Sequence, residues 1–287
     1  MRSQQLAAGD IAAVIGNNEA DGEHLAGYNG IWSLTHAAEP VSPFVPTYAG
    51  MNLEHIFDGA VDERDRFEPR NEPMSLAVDG DSVVLHQAPT AGYGLESWTR
   101  FRLAPPDYVE FEFRCVPRRE VFSFDYIGLF WASYINAPED KSLYFLGGRG
   151  DHGWQQLCSE AHNHGSTVCR RGHRRGLEVA PGHPEWLYTG LSLLVYDEPF
   201  YYGRYRDMTL LFMFDADERF RMSHSPSGGG RDDRRNTTRP AWDFQFIIPE
   251  FDVGAEYGFS TRMVYRPRMS REEVMSEYER FKQGDSL

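Results

Sequence analysis

Cysteine is scarce in this chain of 287 residues: Cys115, Cys158 and Cys169 are an odd set without framework spacing, so the fold must hold without a disulfide scaffold. No apolar run approaches the roughly 20 residues of a membrane span. The opening MRSQQLAAGDIAAVIGNNEADGE has neither the basic start nor the apolar centre of a secretory leader, so a reduced, cytoplasmic protein is expected. Positive charge is also short. Lys and Arg number 29 against 43 Asp and Glu, a net charge of −14. Phosphate backbones and anionic lipids need a basic face, so neither nucleic acid nor a membrane is the expected partner. No P-loop, dinucleotide-binding glycine fingerprint, G-x-S-x-G elbow or H-E-x-x-H motif occurs, which argues against nucleotide-dependent and serine-hydrolase chemistry. No repeat of solenoid or propeller period is found.

What is abundant is the aromatic ring. Hydrophobic residues make up 41% and aromatics 14%, with 15 Tyr and 19 Phe, enough for a large core of pleated strands. Tyr108 to Cys115 (YVEFEFRC) alternates strictly: Val109, Phe111, Phe113 and Cys115 face one way, and Glu110, Glu112 and Arg114 the other. Ser82–His86, Leu191–Tyr196, Met208–Phe214, Phe244–Ile248 and Tyr257–Tyr265 read as further strands. The second and third of these are dense enough to be covered on both faces. Asp79-Gly80 suits a hairpin turn. Ser270 with Glu273 forms a capping box, and Arg271 to Lys282 continues without Gly or Pro as a helix. The expected fold is all-β: one large antiparallel β-sandwich over residues 1–287, of supersandwich or jelly-roll type. Residues 1–25 are expected as a flexible arm and 270–283 as a short C-terminal helix. The stretch SPSGGGRDDRRNTTR from Ser225 to Arg239 reads as a loop, within which Asn236-Thr237-Thr238 fits a glycosylation acceptor.

Four constellations can carry chemistry. Between Asp151 and His173 lie Glu160, His162 and His164. On a strand, His162 and His164 share a face, where they can hold a divalent metal or divide a proton transfer, with Glu160 orienting one of them. Glu54 and His55 are an acid beside an imidazole, but alternation sends them to opposite faces unless the chain bends. Rings beside polar groups form the third set: Trp131, Tyr134, Tyr202 and Trp242 with Asp243. Sugars present C–H faces to rings and hydroxyls to carboxylates, so these residues are expected to line a cleft. Arg171 and Arg174 lie in a basic cluster suited to an anionic sugar.

The closing segment resembles the end of galactose-mutarotase-like sandwich domains. The residues that carry the likeness are Val253-Gly254-Ala255-Glu256-Tyr257, a Gly-x-x-Tyr turn, followed by the strand Arg262-Met263-Val264-Tyr265. Asn163-His164 is similar to the family's Asn-His segment that supplies a catalytic imidazole, although Gly165-Ser166-Thr167 replaces the aromatic residues that follow it there. The family's C-terminal catalytic glutamate has no placed counterpart. The resemblance implies a sugar-binding supersandwich. The expected function is acid/base chemistry on a sugar or uronic-acid glycan, as an epimerase, lyase or hydrolase. The rival readings are a non-catalytic carbohydrate-binding module and a homo-oligomeric interaction protein that buries its aromatic faces.

Overall fold

The computed structural model describes residues 1–61, 64–150, 152–173, 176–216, 218–227 and 239–284. Among them the first half of the chain forms β1 (Ser3–Ala8), β2 (Ile11–Gly16), β3 (Gly30–His36), β4 (Asn52–Phe57), the short helix α1 (Glu68–Asn71), β5 (Met74–Asp79), β6 (Ser82–Gln87), β7 (Leu95–Ala104), β8 (Tyr108–Pro117) and β9 (Ile127–Ala132). The second half forms β10 (Leu143–Gly148), β11 (Gly153–Leu157), β12 (Thr167–Arg170), β13 (Leu191–Tyr196), β14 (Phe200–Tyr205), β15 (Met208–Asp215), β16 (Phe220–Ser225), β17 (Ala241–Ile248), β18 (Tyr257–Pro267) and the helix α2 (Arg271–Lys282). The described strands pair in the continuous order β4-β9-β17-β16-β12-β13-β10-β14-β15-β18-β8-β7-β6-β5, with β11 on β10 and β1-β2-β3 as a separate sheet. Pairing is antiparallel apart from β12 with β13.

The path folds back on itself. Strands far apart in it touch through their rings: Phe113 of β8 meets Trp131 of β9 edge-on at 4.7 Å, and Phe259 of β18 meets Trp131 at 5.2 Å. These contacts make a sandwich, with Phe101, Phe111, Phe113, Trp131, Phe244 and Phe259 in its centre. The alternation of β8 is the reason one of its faces is inside: Val109, Phe111, Phe113 and Cys115 are buried, whereas Glu112 and Arg114 are exposed. Aromatic burial of this kind gives the largest gain per side chain, about 1.5–3 kcal/mol for a fully buried Phe. The large antiparallel sandwich with a short terminal helix is therefore the architecture, as the strand patterning requires.

Some local expectations differ. Residues 1–25 are not a free arm, because β1 and β2 pair in register and Ile11, Ala13 and Ile15 enter the main core. β13 is covered on one side only, with Leu193 exposed. The Asp79-Gly80 turn closes the β5–β6 hairpin, with Gly80 at φ +63°, where a glycine carries no steric penalty. The capping box is formed: Ser270 Oγ accepts from the Glu273 amide, and the Glu273 carboxylate accepts from the Ser270 amide. α2 then lays Val274 and Tyr278 on the outer side of β14, β15 and β18. Residues 228–238 of the glycine- and arginine-rich loop, including Asn236-Thr237-Thr238, lie outside the described residues. No described helix is long and apolar enough to cross a membrane.

Candidate functional site

A slip in one strand pair builds the site. In the register of β4 on β9, Leu53 lies opposite Trp131 and His55 opposite Phe130, so Glu54 is the extra residue of a β-bulge. A bulge breaks strict alternation and re-aims the side chains beside it. Leu53 and Ile56 both enter the main core. Glu54 and His55 both open the other way, into a cavity of about 310 Å³. The expectation that they oppose each other holds only for an unbroken strand.

The cavity sits on the outer face of β4, β9, β17 and β16. Tyr28, Phe67, Phe130, Tyr134 and Trp186 give it aromatic walls. Phe130, Ala132 and Tyr134 reach it because they share one face of the β9 segment. Asp243 reaches it from β17, where Trp242 and Phe244 point into the core. Tyr28 is set by its carbonyl, which accepts from Trp32 Nε1 at 3.1 Å and lies 2.7 Å from His24 Nε2.

Glu54, Asp243, His55 and the Tyr134 hydroxyl are buried titratable groups that face this space. Glu54 accepts from Arg70 Nη1 at 2.8 Å and from the Tyr134 hydroxyl at 2.8 and 3.0 Å. The Arg70 guanidinium also donates to the Gly27 carbonyl and lies over the Tyr28 ring at 4.2 Å. Asp243 is 1% exposed and accepts from the Ser133 amide at 3.1 Å, but no described cation pairs with it. Burial pushes its carboxyl well above the usual carboxylate range, and the nearby negative charge of Glu54 adds to the shift. Burial also raises Glu54, while Arg70 opposes that rise. His55 is packed between Phe130 at 4.9 Å, Phe67 at 4.7 Å and Trp186 at 4.7 Å. Burial drives its pKa well down, helped by the positive charges of Arg70 and Arg66, so the ring is neutral. Its Nδ1 has no hydrogen-bond partner among the described residues.

The remaining sequence candidates separate. Residues 160–165 form a turn rather than a strand, with Asn163 at φ +66°, so His162 and His164 do not share a face. His162 lines the cavity and lies 2.7 Å from Ser227 Oγ. His164 points outward to Glu185 at 2.9 Å, and Glu160 is exposed. Among the described residues no three His, Cys, Asp or Glu side chains converge as a metal site, so the His162–His164 metal expectation has lost its geometric basis. Trp131 and Trp242 are core residues rather than cleft walls: Trp131 stacks on Phe244 at 5.1 Å, and Trp242 Nε1 donates to the Lys141 carbonyl. Tyr202 stacks on Tyr144 at 5.2 Å on the α2 side of the molecule. Arg171 is held by Asp197 on the surface, away from the cavity. Arg174 lies outside the described residues. Tyr134, Asp243, Glu54, His55 and His162 are the candidates that meet. Arg70, Tyr28 and Trp186 were missed: Arg70 sits in a charged stretch that reads as solvated surface, and Trp186 in a loop without period.

No family model matches the sequence, and no curated protein matches it. Solved structures do. The GalM/aldose epimerase homologue from C. elegans superposes with a TM-score of 0.53 at 8% identity, covering 93% of this chain and 99% of that one. A galactose mutarotase-like protein from Lactobacillus casei ATCC 334 gives 0.51 at 7% identity, covering 92% and 100%. Likeness at such identity is a likeness of backbone, and the finding is that this chain has the galactose-mutarotase-like β-sandwich fold.

Proposed function

We propose that the cavity binds one ring of a neutral reducing sugar and interconverts its anomers by acid/base catalysis. The observation that carries this reading is an asymmetry. Of the two buried carboxyls that face the cavity, Glu54 has a cation beside it and Asp243 has none among the described residues. In this reading the Arg70 cation keeps Glu54 ionised, while burial, which raises Asp243 further, keeps Asp243 protonated. Asp243 then donates a proton to the ring oxygen while Glu54 accepts the proton of the anomeric hydroxyl. The electron pair of that O–H bond forms the C1 carbonyl, and the C1–O5 pair stays on O5. Rotation about C1–C2 and the reverse transfers close the other anomer and restore both carboxyls. Arg70, bound to Glu54, leaves the site without surplus charge, which favours a neutral sugar. A volume of about 310 Å³ is at the small end of ligand sites and suits one ring rather than a polymer. The rings around it offer faces for C–H contacts.

Polarimetry on freshly dissolved α-glucose and α-galactose tests the reading. The protein is expected to accelerate equilibration, and Asp243→Asn and Glu54→Gln are each expected to lose about 10²–10⁴-fold of that acceleration. Equilibration no faster than in buffer, for every aldose tried, sinks it. A non-catalytic sugar-binding site is the second reading, and one observation favours it: both Glu54 oxygens are already engaged by Arg70 and Tyr134. In that case Asp243→Asn leaves sugar affinity intact and there is no turnover to lose.

A further inference from the structure

The outer face of β6, β7, β8, β18 and β15 holds two adjoining hollows of about 720 and 770 Å³, which share Arg100, Glu112, Arg170, Asp215, Ala216 and Ser260. Neither shares a residue with the sugar cavity. The geometry points to a second binding site here, for an extended acidic glycan whose sugar units carry carboxylate or sulfate groups.

The strand registers arrange this face as a lattice. One row across the sheet is Trp98, Arg114 and Gly258. The next is Arg100, Glu112, Ser260 and Asp215, and the third is Arg102, Glu110 and Arg262. Successive rows lie about 6.7 Å apart, two residues along each strand, so three rows span roughly 13 Å. The hollow exists because its middle is small. Ser260 and Gly258 form the floor, and a Cβ on Gly258 would come within 2.3 Å of the Phe113 carbonyl oxygen, so no side chain fits there. Long Arg and Glu side chains stand around that floor.

Charge selects the ligand. The chain as a whole has 29 basic residues against 43 acidic ones. The described lining of the two hollows reverses the ratio, with seven Arg and Lys against five Asp and Glu. Arg170 reaches both hollows and has no carboxylate partner among the described residues. The partners of Arg100, Arg102 and Arg114 are Asp79, Asp81 and Glu256, each more than half exposed. Such surface pairs contribute at most about 1 kcal/mol and exchange readily for a ligand anion. Guanidinium forks match carboxylate and sulfate oxygens in pairs. The interspersed carboxylates decide between polyanions. Glu112 and Asp215 flank Ser260 and accept hydrogen bonds from hydroxyl donors, which sugar rings have in number and polyphosphate lacks. Arg114 lies over Trp98 at 4.5 Å, and His86 stacks at 5.0 Å, so that indole supports the arginine instead of stacking on a sugar.

Calorimetric titration with a galacturonate hexamer tests the site, with neutral dextran oligomers and short-chain polyphosphate as the other probes. The hexamer is expected to bind, more weakly as salt rises. The double variant Arg100→Gln/Arg170→Gln is expected to weaken it about tenfold or more. Ser260→Tyr, which fills the floor and leaves every charge in place, is expected to abolish binding. Asp243→Asn is expected to leave it unchanged, whatever that variant does to sugar interconversion. The proposal is overturned by no hexamer binding at about 1 mM, by dextran or polyphosphate binding as tightly as the hexamer, by wild-type affinity in the double variant or in Ser260→Tyr, or by loss of hexamer binding in Asp243→Asn.

Discussion

Glu54 and His55 are consecutive residues of β4, yet their side chains enter the same cavity, because the bulge between Leu53 and His55 inserts one residue into the pairing with β9. An acid and an imidazole thereby stand side by side on a rigid strand. The arrangement gives each a different electrostatic setting, since Glu54 is held by Arg70 while the same positive charge disfavours protonation of His55.

The Arg70–Glu54 pair is expected to be sensitive to loss of one partner. Arg70 is a quarter exposed at its side chain and Glu54 far less. Arg70→Met leaves a buried carboxylate without its cation and is expected to cost about 3–5 kcal/mol. Arg70→Lys is expected to recover little of this, because an ammonium cannot bridge Glu54 and the Gly27 carbonyl while lying flat on Tyr28. Denaturant titration of the two variants checks both statements. Stability within about 1 kcal/mol of wild type in Arg70→Met contradicts them.

Asp243 makes stability fall toward alkaline pH. Its folded pKa is raised, so the folded state holds a proton that the unfolded state has released. The contribution is fully present below the ordinary carboxylate pKa of 3.8 and is lost as pH rises through the folded value. Asp243→Asn removes this dependence. Its melting temperature is expected to exceed that of wild type at pH 9 more than at pH 5, and an equal difference at both pH values tells against the shift.

His55 acts with the opposite sign. Its folded pKa is depressed, so the stability it contributes is present above 6.5 and is lost as pH falls below that value. His55→Phe fits among Phe130, Phe67 and Trp186 and cannot be protonated. Melting curves from pH 7 to 5 are expected to decline less steeply for the variant than for wild type.

Two tryptophans separate packing from binding. Trp131 is wholly buried among Phe113, Phe244 and Phe259, and Trp131→Ala is expected to cost about 3–5 kcal/mol. Trp186 is partly exposed at the cavity wall, and Trp186→Ala is expected to cost less stability and more sugar affinity. Thermal melts with ligand titration check the contrast. Lost sugar affinity in a folded Trp131→Ala protein and none in Trp186→Ala would refute it.

Alternation was the most legible signal. It assigned the inner face of β8 correctly. It also contained the correction to the cleft, because Trp131 and Tyr134 fall on opposite faces of one segment, and so do the neighbours Trp242 and Asp243. Where alternation is unbroken, adjacent residues cannot line the same hollow, and the structure takes Tyr134 and Asp243 while burying the two indoles. The His162–His164 pair was not legible, because its geometry depends on Asn163 entering the left-handed region, which nothing in the local composition demands.

The amino-acid order alone therefore determined an all-β chain with a capped terminal helix, a large ring-filled core and no cysteine scaffold. These follow from period-two patterning and residue type, which are local properties. The tertiary structure decided that Glu54 and His55 share a face, that Arg70 covers Glu54 while Asp243 has no cation beside it among the described residues, and that Gly258 and Ser260 hollow out a charged sheet. Each of these depends on strand register and on contacts between distant segments. Electrostatic environment is set by what lies within a few ångströms in space, and residues 54, 70 and 243 become neighbours only when the sandwich closes.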